Sequence, residues 1–363
     1  MQQVELNSAI DLNRIITGKY LLVCGLSYYR TLPIISELKK TNLTFARFSD
    51  YNSNPTYESV VRGVEVYRKE NCTAIVAVGG GSAIDVAKCI KLFLEMNTGD
   101  NYLRQSAVHL KTPLVVVPTT AGTGSEATRY AVIYYNGEKQ SICHEELIPN
   151  YVIFDSLLLD FLPEYPKKSA LLDALCHSIE SWWSIHSTSE SKSYSKEALR
   201  IITTNWKEYI DDKHSLTVNK EMLYAANLAG KAINITATTA PHAMSYKLTS
   251  NYGISHGHAV ALVLPIVWRY MSCHVDKCID KRGNEYFEET LQEISQVLDV
   301  NGFDEILMRF EMDKYKNIPA IEGIEELVDT VNLLRLSNNP VVLDKTSLTE
   351  IYSELSKQIA EKG

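Results

Sequence analysis

Asp173 and His177 stand four residues apart in LLDALCHSIE, so on a helix both project from one face. Alone, such a pair could be a helix-surface acid beside a solvated imidazole. The neighbours Leu171, Leu172, Leu175 and Ile179 instead indicate a largely buried helix, where an unpaired carboxylate is costly. A bound cation removes that cost. Downstream, TTAPHAMSYKLTSNYGISHGHAVALVLP places His242, His256 and His258, three of the nine histidines, in one short and otherwise apolar stretch. One carboxylate with two or three imidazoles suits a divalent transition metal, Fe²⁺ or Zn²⁺, and ligand type does not choose between them. With an open coordination position, such an ion polarises a substrate oxygen as a Lewis acid.

A second constellation concerns phosphate. Gly79-Gly80-Gly81-Ser82 follows the strand-like AIVAV and opens the helical segment AIDVAK. Glycines let the backbone approach a pyrophosphate closely, and a helix N-terminus offers free N–H groups with a favourable dipole. A triple glycine alone is a weak signal, since turns use glycine freely. Pro118-Thr119-Thr120-Ala121-Gly122-Thr123-Gly124-Ser125-Glu126 strengthens it, placing hydroxyls and glycines after another buried run, where open α/β sheets bind nucleotides. The G-x-G-x-x-G turn of an ordinary Rossmann dehydrogenase is absent: the first buried run ends in Cys24-Gly25-Leu26-Ser27.

The elements that must position these residues fall into two parts. Tyr20 to Cys24, Leu43 to Phe48, Ala74 to Val78 and Leu114 to Val117 read as buried strands, with helical periodicity over 29–41, 56–70 and 82–95. That alternation predicts a parallel sheet covered on both faces. Asn136-Gly137, between Ala131–Tyr135 and Lys139–Ile142, predicts a hairpin. After Pro163 and Pro166 strand-like runs nearly vanish, and helices are expected over 167–186, 193–211, 216–234, 256–272, 283–298 and 323–335. The expected fold is therefore an α/β dinucleotide-binding domain over 1–163 and an all-α metal- and substrate-binding domain over 164–363.

Composition agrees. The 363 residues carry 36 basic and 44 acidic side chains, a net charge of −8, which argues against a nucleic-acid partner. No apolar run approaches the ~18 residues of a membrane span, and MQQVELNSAIDLNR lacks a secretory leader's pattern, so a cytoplasmic protein is expected. Seven scattered cysteines read as reduced thiols, and Cys273, His274 and Cys278 as helix surface, not a metal site.

The ordered motifs Asn54-Pro55, GGGSAIDVAK, PTTAGTGSEAT, DALCH, HAMSY and SHGHAVAL together resemble the iron-containing (group III) alcohol dehydrogenase family, over most of the chain. The resemblance implies the dehydroquinate synthase-like fold, an α/β nucleotide-binding domain followed by a helical one, with the metal and substrate in the cleft between them. It implies Asp173, His177, His242 and His256 as metal ligands. Gly25, Ser27, Asn54, Gly79, Gly80, Gly81, Ser82 and Asp85 would hold NAD(P)H on one side, with Thr119, Thr120, Thr123, Ser125 and Thr128 on the other. The implied chemistry is hydride transfer between nicotinamide C4 and a carbonyl carbon. It also implies a homodimer or larger homo-oligomer.

Two departures from the family pattern matter. Many members carry a second histidine four residues after the third ligand, where this chain has Tyr246. Its hydroxyl is one candidate proton donor, and His258 is another, unless it only supports the ligands. NAD-preferring members place an acid just after the first strand; the Gly25-Leu26-Ser27 found here makes NADPH admissible. Lys231, Lys247 and Arg129 are candidate anion-binding residues. The stretch from Lys231 to Leu262 resembles members that reduce phosphonoacetaldehyde to 2-hydroxyethylphosphonate. Alternatives are a general short-chain alcohol or diol dehydrogenase, a dehydroquinate-synthase-like cyclase, and a catalytically silent nucleotide-binding protein.

Overall fold

The computed structural model describes residues 3–211, 215–310 and 321–362. The chain divides into two compact units, Met1–Leu162 with Lys213–Leu223, and Pro163–Asp212 with Tyr224–Gly363.

The first unit is built on a parallel sheet. Its strands are β1 (Val4–Leu6), β2 (Lys19–Cys24), β3 (Thr44–Phe48), β4 (Cys72–Gly79) and β5 (Leu114–Pro118); an antiparallel hairpin, β6 (Tyr130–Tyr135) with β7 (Glu138–Cys143), then precedes β8 (Tyr151–Ile153). The spatial order is β1-β8-β5-β4-β2-β3, every pair parallel. The helices are α1 (Leu12–Ile15), α2 (Leu26–Thr31), α3 (Pro33–Lys40), α4 (Tyr57–Lys69) and α5 (Gly81–Phe93).

Strand alternation explains why the central strands read as unbroken apolar runs. Leu21, Val23, Ile75, Ala77, Leu114 and Val116 enter one core with Val60, Val64, Ile84 and Ile90 of α4 and α5. Their neighbours Tyr20, Leu22, Ala74, Val76, Val115 and Val117 enter the other with Leu12, Ile34, Ile35 and Leu38 of α1 and α3. Both faces are therefore buried. In the hairpin, Asn136 and Gly137 take φ of 52° and 79°, the left-handed pair that a two-residue loop requires.

The second unit is helical: α6 (Glu164–Trp183), α7 (Ser189–Asp211), the later part of α8 (Leu216–Thr236), α9 (Ala240–Tyr252), α10 (His256–Cys273), α11 (Asn284–Ser295), α12 (Val300–Arg309), α13 (Ile324–Asp329), α14 (Leu333–Leu336) and α15 (Lys345–Lys362). Pro163 and Pro166 open α6, where a missing N–H costs nothing. From Leu171 to Trp183 every residue of α6 is buried, so it has no solvent face. It packs against α7, α10 and α11, while α10 also meets α9, α12 and α15.

Three differences from the sequence reading stand out. The helix expected over 323–335 is two, because Asn332 caps a new one at Leu333. Helices α9, α12 and α15 were not anticipated. The segment 215–223, expected in the helical domain, belongs to the first unit, where Asn219 Nδ2 donates to Ser156 O (3.1 Å) and Asp160 Oδ1 (2.8 Å).

All seven cysteines are free; Cys143 in the first unit and Cys273 in the second are exposed. His274 Nδ1–H donates to the Tyr270 carbonyl at 2.8 Å at the end of α10, while Cys278 lies outside any helix in a β-bridge with Val341, so the helix-surface expectation holds for Cys273 and not for Cys278. No helix among the described residues is long and apolar enough to cross a membrane.

Candidate functional site

In the second unit, α6 supplies Asp173 and His177, α9 supplies His242 and α10 supplies His256. One ligand-capable atom from each of Asp173, His177 and His242 lies within 4.8 Å of the others, and all three side chains are buried. Asp173 Oδ1 is 3.7 Å from His177 Nε2 and 3.5 Å from His242 Nε2. The two imidazoles stack with centroids 4.6 Å apart. His256 lies at the edge of this group, its Nε2 4.0 Å from Asp173 Oδ1, with 38% of its side chain exposed.

Gly257 permits this approach of α10 to α6. A Cβ there would lie 2.1 Å from the Ser169 carbonyl oxygen and 2.7 Å from Asp173 Cβ, so only glycine fits without moving a backbone. The sequence signal was a glycine flanked by two histidines inside an otherwise strong helix former run.

Electrostatically, the group attracts a cation. Burial alone would raise the Asp173 carboxyl, but the His177, His242 and His256 rings, when protonated, hold it well below the usual carboxylate range. Burial alone would lower His242, but Glu180 and Asp173 lift it to about 9. Asp173 Oδ1 and His242 Nε2 are nevertheless buried without any hydrogen bond. Orphaned buried polar atoms are rare and expensive, and a divalent ion bound by N and O donors would satisfy both at once. The residues present fit a metal.

Glu180 was missed from the sequence. It is wholly buried on α6, and its carboxylate accepts hydrogen bonds from Thr239 N (2.7 Å), Thr239 Oγ1 (2.8 Å) and His242 Nδ1. Its signal was the spacing: seven residues after Asp173 and three after His177, it shares their helix face. The chain enters α9 through Ala237, in the left-handed region at φ 56°.

The two candidate proton donors differ in placement. The Tyr246 ring stacks on His256 with centroids 6.0 Å apart; burial raises its hydroxyl pKa against the pull of nearby Arg335. His258 is wholly buried, with Nδ1 3.3 Å from Tyr165 Oη and its backbone N–H on Ser169 Oγ. Among the described residues it is not part of the Asp173, His177 and His242 group.

In the first unit, the two glycine-containing loops meet. A Cβ on Gly80 would lie 3.1 Å from Thr120 Cγ2, and one on Gly81 3.1 Å from Thr123 Cγ2. Thr119 N donates to Gly79 O (3.1 Å), and Ser82 Oγ donates to Ser53 O (2.5 Å), beside the exposed Asn54. Gly80 caps α5, so the N–H groups of its first turn face this junction. Gly25 caps α2, in which Ser27 is exposed.

Three of the expected cofactor residues make hydrogen bonds within the protein. Asp85 accepts from Ser125 Oγ (2.7 Å) and Val132 N (3.0 Å), while Thr128 Oγ1 and Ser125 Oγ also receive the ammonium of Lys88. Lys88, unremarked in the sequence, is wholly buried and donates to the carbonyls of Ser125 (2.6 Å), Thr128 (2.7 Å) and Tyr130 (2.8 Å). Burial lowers its pKa to about 8. Asp85, Ser125 and Thr128 therefore shape the loop through this network.

The candidate anion-binding residues are distributed over both units. Arg129 belongs to the first unit and pairs with Glu145; Lys231 on α8 and Lys247 on α9 are half-buried in the second.

The chain matches the model of iron-containing alcohol dehydrogenase over residues 5–156 and that of the C-terminal part of the Fe-containing alcohol dehydrogenase family over 169–355. It is 32% identical over 222 residues to the probable alcohol dehydrogenase EutG of Escherichia coli, covering 60% of this chain and 56% of that protein. It is 28% identical over 322 residues to the phosphonoacetaldehyde reductase of Streptomyces viridochromogenes, covering 83% and 81%. Among solved structures, an iron-containing alcohol dehydrogenase from Thermotoga maritima superposes with a TM-score of 0.84 at 27% identity, covering 98% of both chains. The chain spans less than two thirds of the length of the first curated relatives it matches.

Proposed function

Because this chain belongs to the iron-containing alcohol dehydrogenase family, we propose that it interconverts a small aldehyde and its primary alcohol with a nicotinamide dinucleotide at a divalent metal. The observation that carries this reading is the buried Asp173, His177 and His242 group with its two orphaned atoms. With His256 at the edge, these residues would hold Fe²⁺ or Zn²⁺. Such an ion supplies Lewis-acid polarisation of a carbonyl oxygen.

The chain's own residues do the rest. First-turn N–H groups at Gly81 and Ser82 bind the pyrophosphate, while Thr119, Thr120 and Thr123 close the other side of that junction. Gly25, in place of an acid after β2, leaves room for a 2′-phosphate, so NADPH is accepted alongside NADH. Tyr246, stacked on His256, delivers the proton. Assembly as a homodimer or larger homo-oligomer belongs to the same reading.

The preferred substrate in this proposal is an anionic aldehyde, phosphonoacetaldehyde, reduced to 2-hydroxyethylphosphonate with Lys231 and Lys247 at the phosphonate. Its support is the likeness to a phosphonoacetaldehyde reductase over most of both chains. A second reading, a general short-chain alcohol or diol dehydrogenase, gains from the Arg129–Glu145 pair, which takes one of the three cations out of play. Loss of absorbance at the reduced-nicotinamide band separates them. Metal-loaded protein with NADH or NADPH is offered phosphonoacetaldehyde, propanal and butanal, and kcat/KM should favour the first by about 100-fold or more. Equal values for all three would establish the second reading, and no oxidation of either cofactor would remove both.

A further inference from the structure

We propose that Glu180 is a positioning residue for the metal: it fixes the His242 ring so that Nδ1 carries the hydrogen and Nε2 presents its lone pair toward Asp173 and His177. This rests on the metal reading above and extends it to a residue that would not touch the ion.

The geometry is specific. Glu180 is wholly buried, and three donors converge on its two oxygens: the backbone N–H and hydroxyl of Thr239 on Oε2, and His242 Nδ1–H on Oε1. Thr239 Oγ1 in turn accepts from Trp183 Nε1 at 2.9 Å, and the Trp183 indole stands edge-on to Trp268 with centroids 5.7 Å apart. The carboxylate is thus held from α6 by its own backbone and from α9 by the residue that precedes the helix. It can rotate little without breaking these bonds.

An acceptor on Nδ1 decides the tautomer. With no such partner a neutral imidazole distributes its hydrogen between both nitrogens, and the Nε2–H form points a donor at the place where a lone pair is needed. An acceptor such as Glu180 removes that form and raises the basicity of Nε2. It also adds a second buried negative charge, after Asp173, to a site suited to a divalent cation.

The test uses full-length protein stripped of metal by chelation and titrated with Co²⁺, read by ligand-field absorption. Glu180→Gln should weaken Co²⁺ binding about 10- to 100-fold. Because Glu180 acts through His242, the same substitution in a His242→Ala background should change affinity by less than about 3-fold. An equal loss in both backgrounds, or no loss in the first, would overturn the proposal. Selective ¹⁵N-histidine spectra of the metal-free protein give an independent readout: the His242 Nδ1–H should be strongly hydrogen-bonded and slow to exchange in the parent, and should lose that signature in Glu180→Gln. Should Glu180→Gln not fold, Thr239→Val removes one anchor of the carboxylate. It should cost about 3-fold in affinity, again only while His242 is present. Failure of the parent protein itself to bind Co²⁺ would strike the metal reading instead, and this proposal with it.

Discussion

Two buried polar networks, one in each unit, are built from similar residues and end in opposite states. Around Lys88 in the first unit, an ammonium, a carboxylate and two hydroxyls satisfy one another and three backbone carbonyls. Around Asp173 in the second, a carboxylate and imidazoles converge and leave Oδ1 and Nε2 unmet. A network that closes on itself stabilises a backbone shape; one that stays open stabilises something that has yet to arrive. The difference teaches which residues carry fold energy and which carry function, and it can be pressed experimentally.

The largest expected effect is on the open network. Asp173→Ala should abolish metal retention and lower kcat/KM by at least ~10³-fold, since several kcal/mol of charge stabilisation goes with the ion. Metal analysis and steady-state kinetics on one preparation read both losses.

Gly257→Ala comes next and acts on the framework of the same site. Its Cβ would collide with Ser169 O at 2.1 Å, so about 3 kcal/mol of stability and tight metal binding should go together. Chemical denaturation and metal analysis on one preparation read both.

For the closed network the order reverses: stability falls first. Lys88→Met leaves three buried carbonyls without their donor and should cost about 3 kcal/mol, with dinucleotide binding weakened through the 125–130 loop. The pH dependence follows from linkage. Burial holds Lys88 at about 8, below the ordinary 10.5, so between these values the unfolded chain binds more protons. The parent should therefore gain stability relative to Lys88→Met as pH rises from 8 toward 10.5, by at most about 1.4 kcal/mol per pH unit. A difference that stays flat or shrinks would show that burial does not depress Lys88.

The smallest effect concerns Ala237, whose left-handed backbone leads into the helix bearing His242. Ala237→Gly should raise stability by up to about 1 kcal/mol, read as a small rise in Tm.

Much of this arrangement is legible in the residues alone. Strands β2, β4 and β5 show as unbroken apolar runs because both sheet faces are covered, whereas β1 and β8 have three residues each, with Val4 and Glu5 exposed, and leave no pattern. The Asp173 and His177 pair declares itself through helical spacing, and the later histidines through an apolar setting. Helix α9 escaped notice because Ala240 to Ser245 are buried on all sides, which erases the amphipathic period. Glu180 and Lys88 escaped for a related reason: a charged residue in a helix reads as solvated until its partners, distant in sequence, are known. The match of both halves to one family supplies the fold, while the proposed substrate choice rests on individual side chains that a family match does not fix.

The distribution of thiols has a practical use. Cys143 and Cys273 are exposed, one in each compact unit, while four of the other five are buried and Cys278 is intermediate. The natural chain therefore comes fitted with two attachment points for a dye. A dye on each reports nucleotide or metal addition from within its own unit, without introducing a new cysteine.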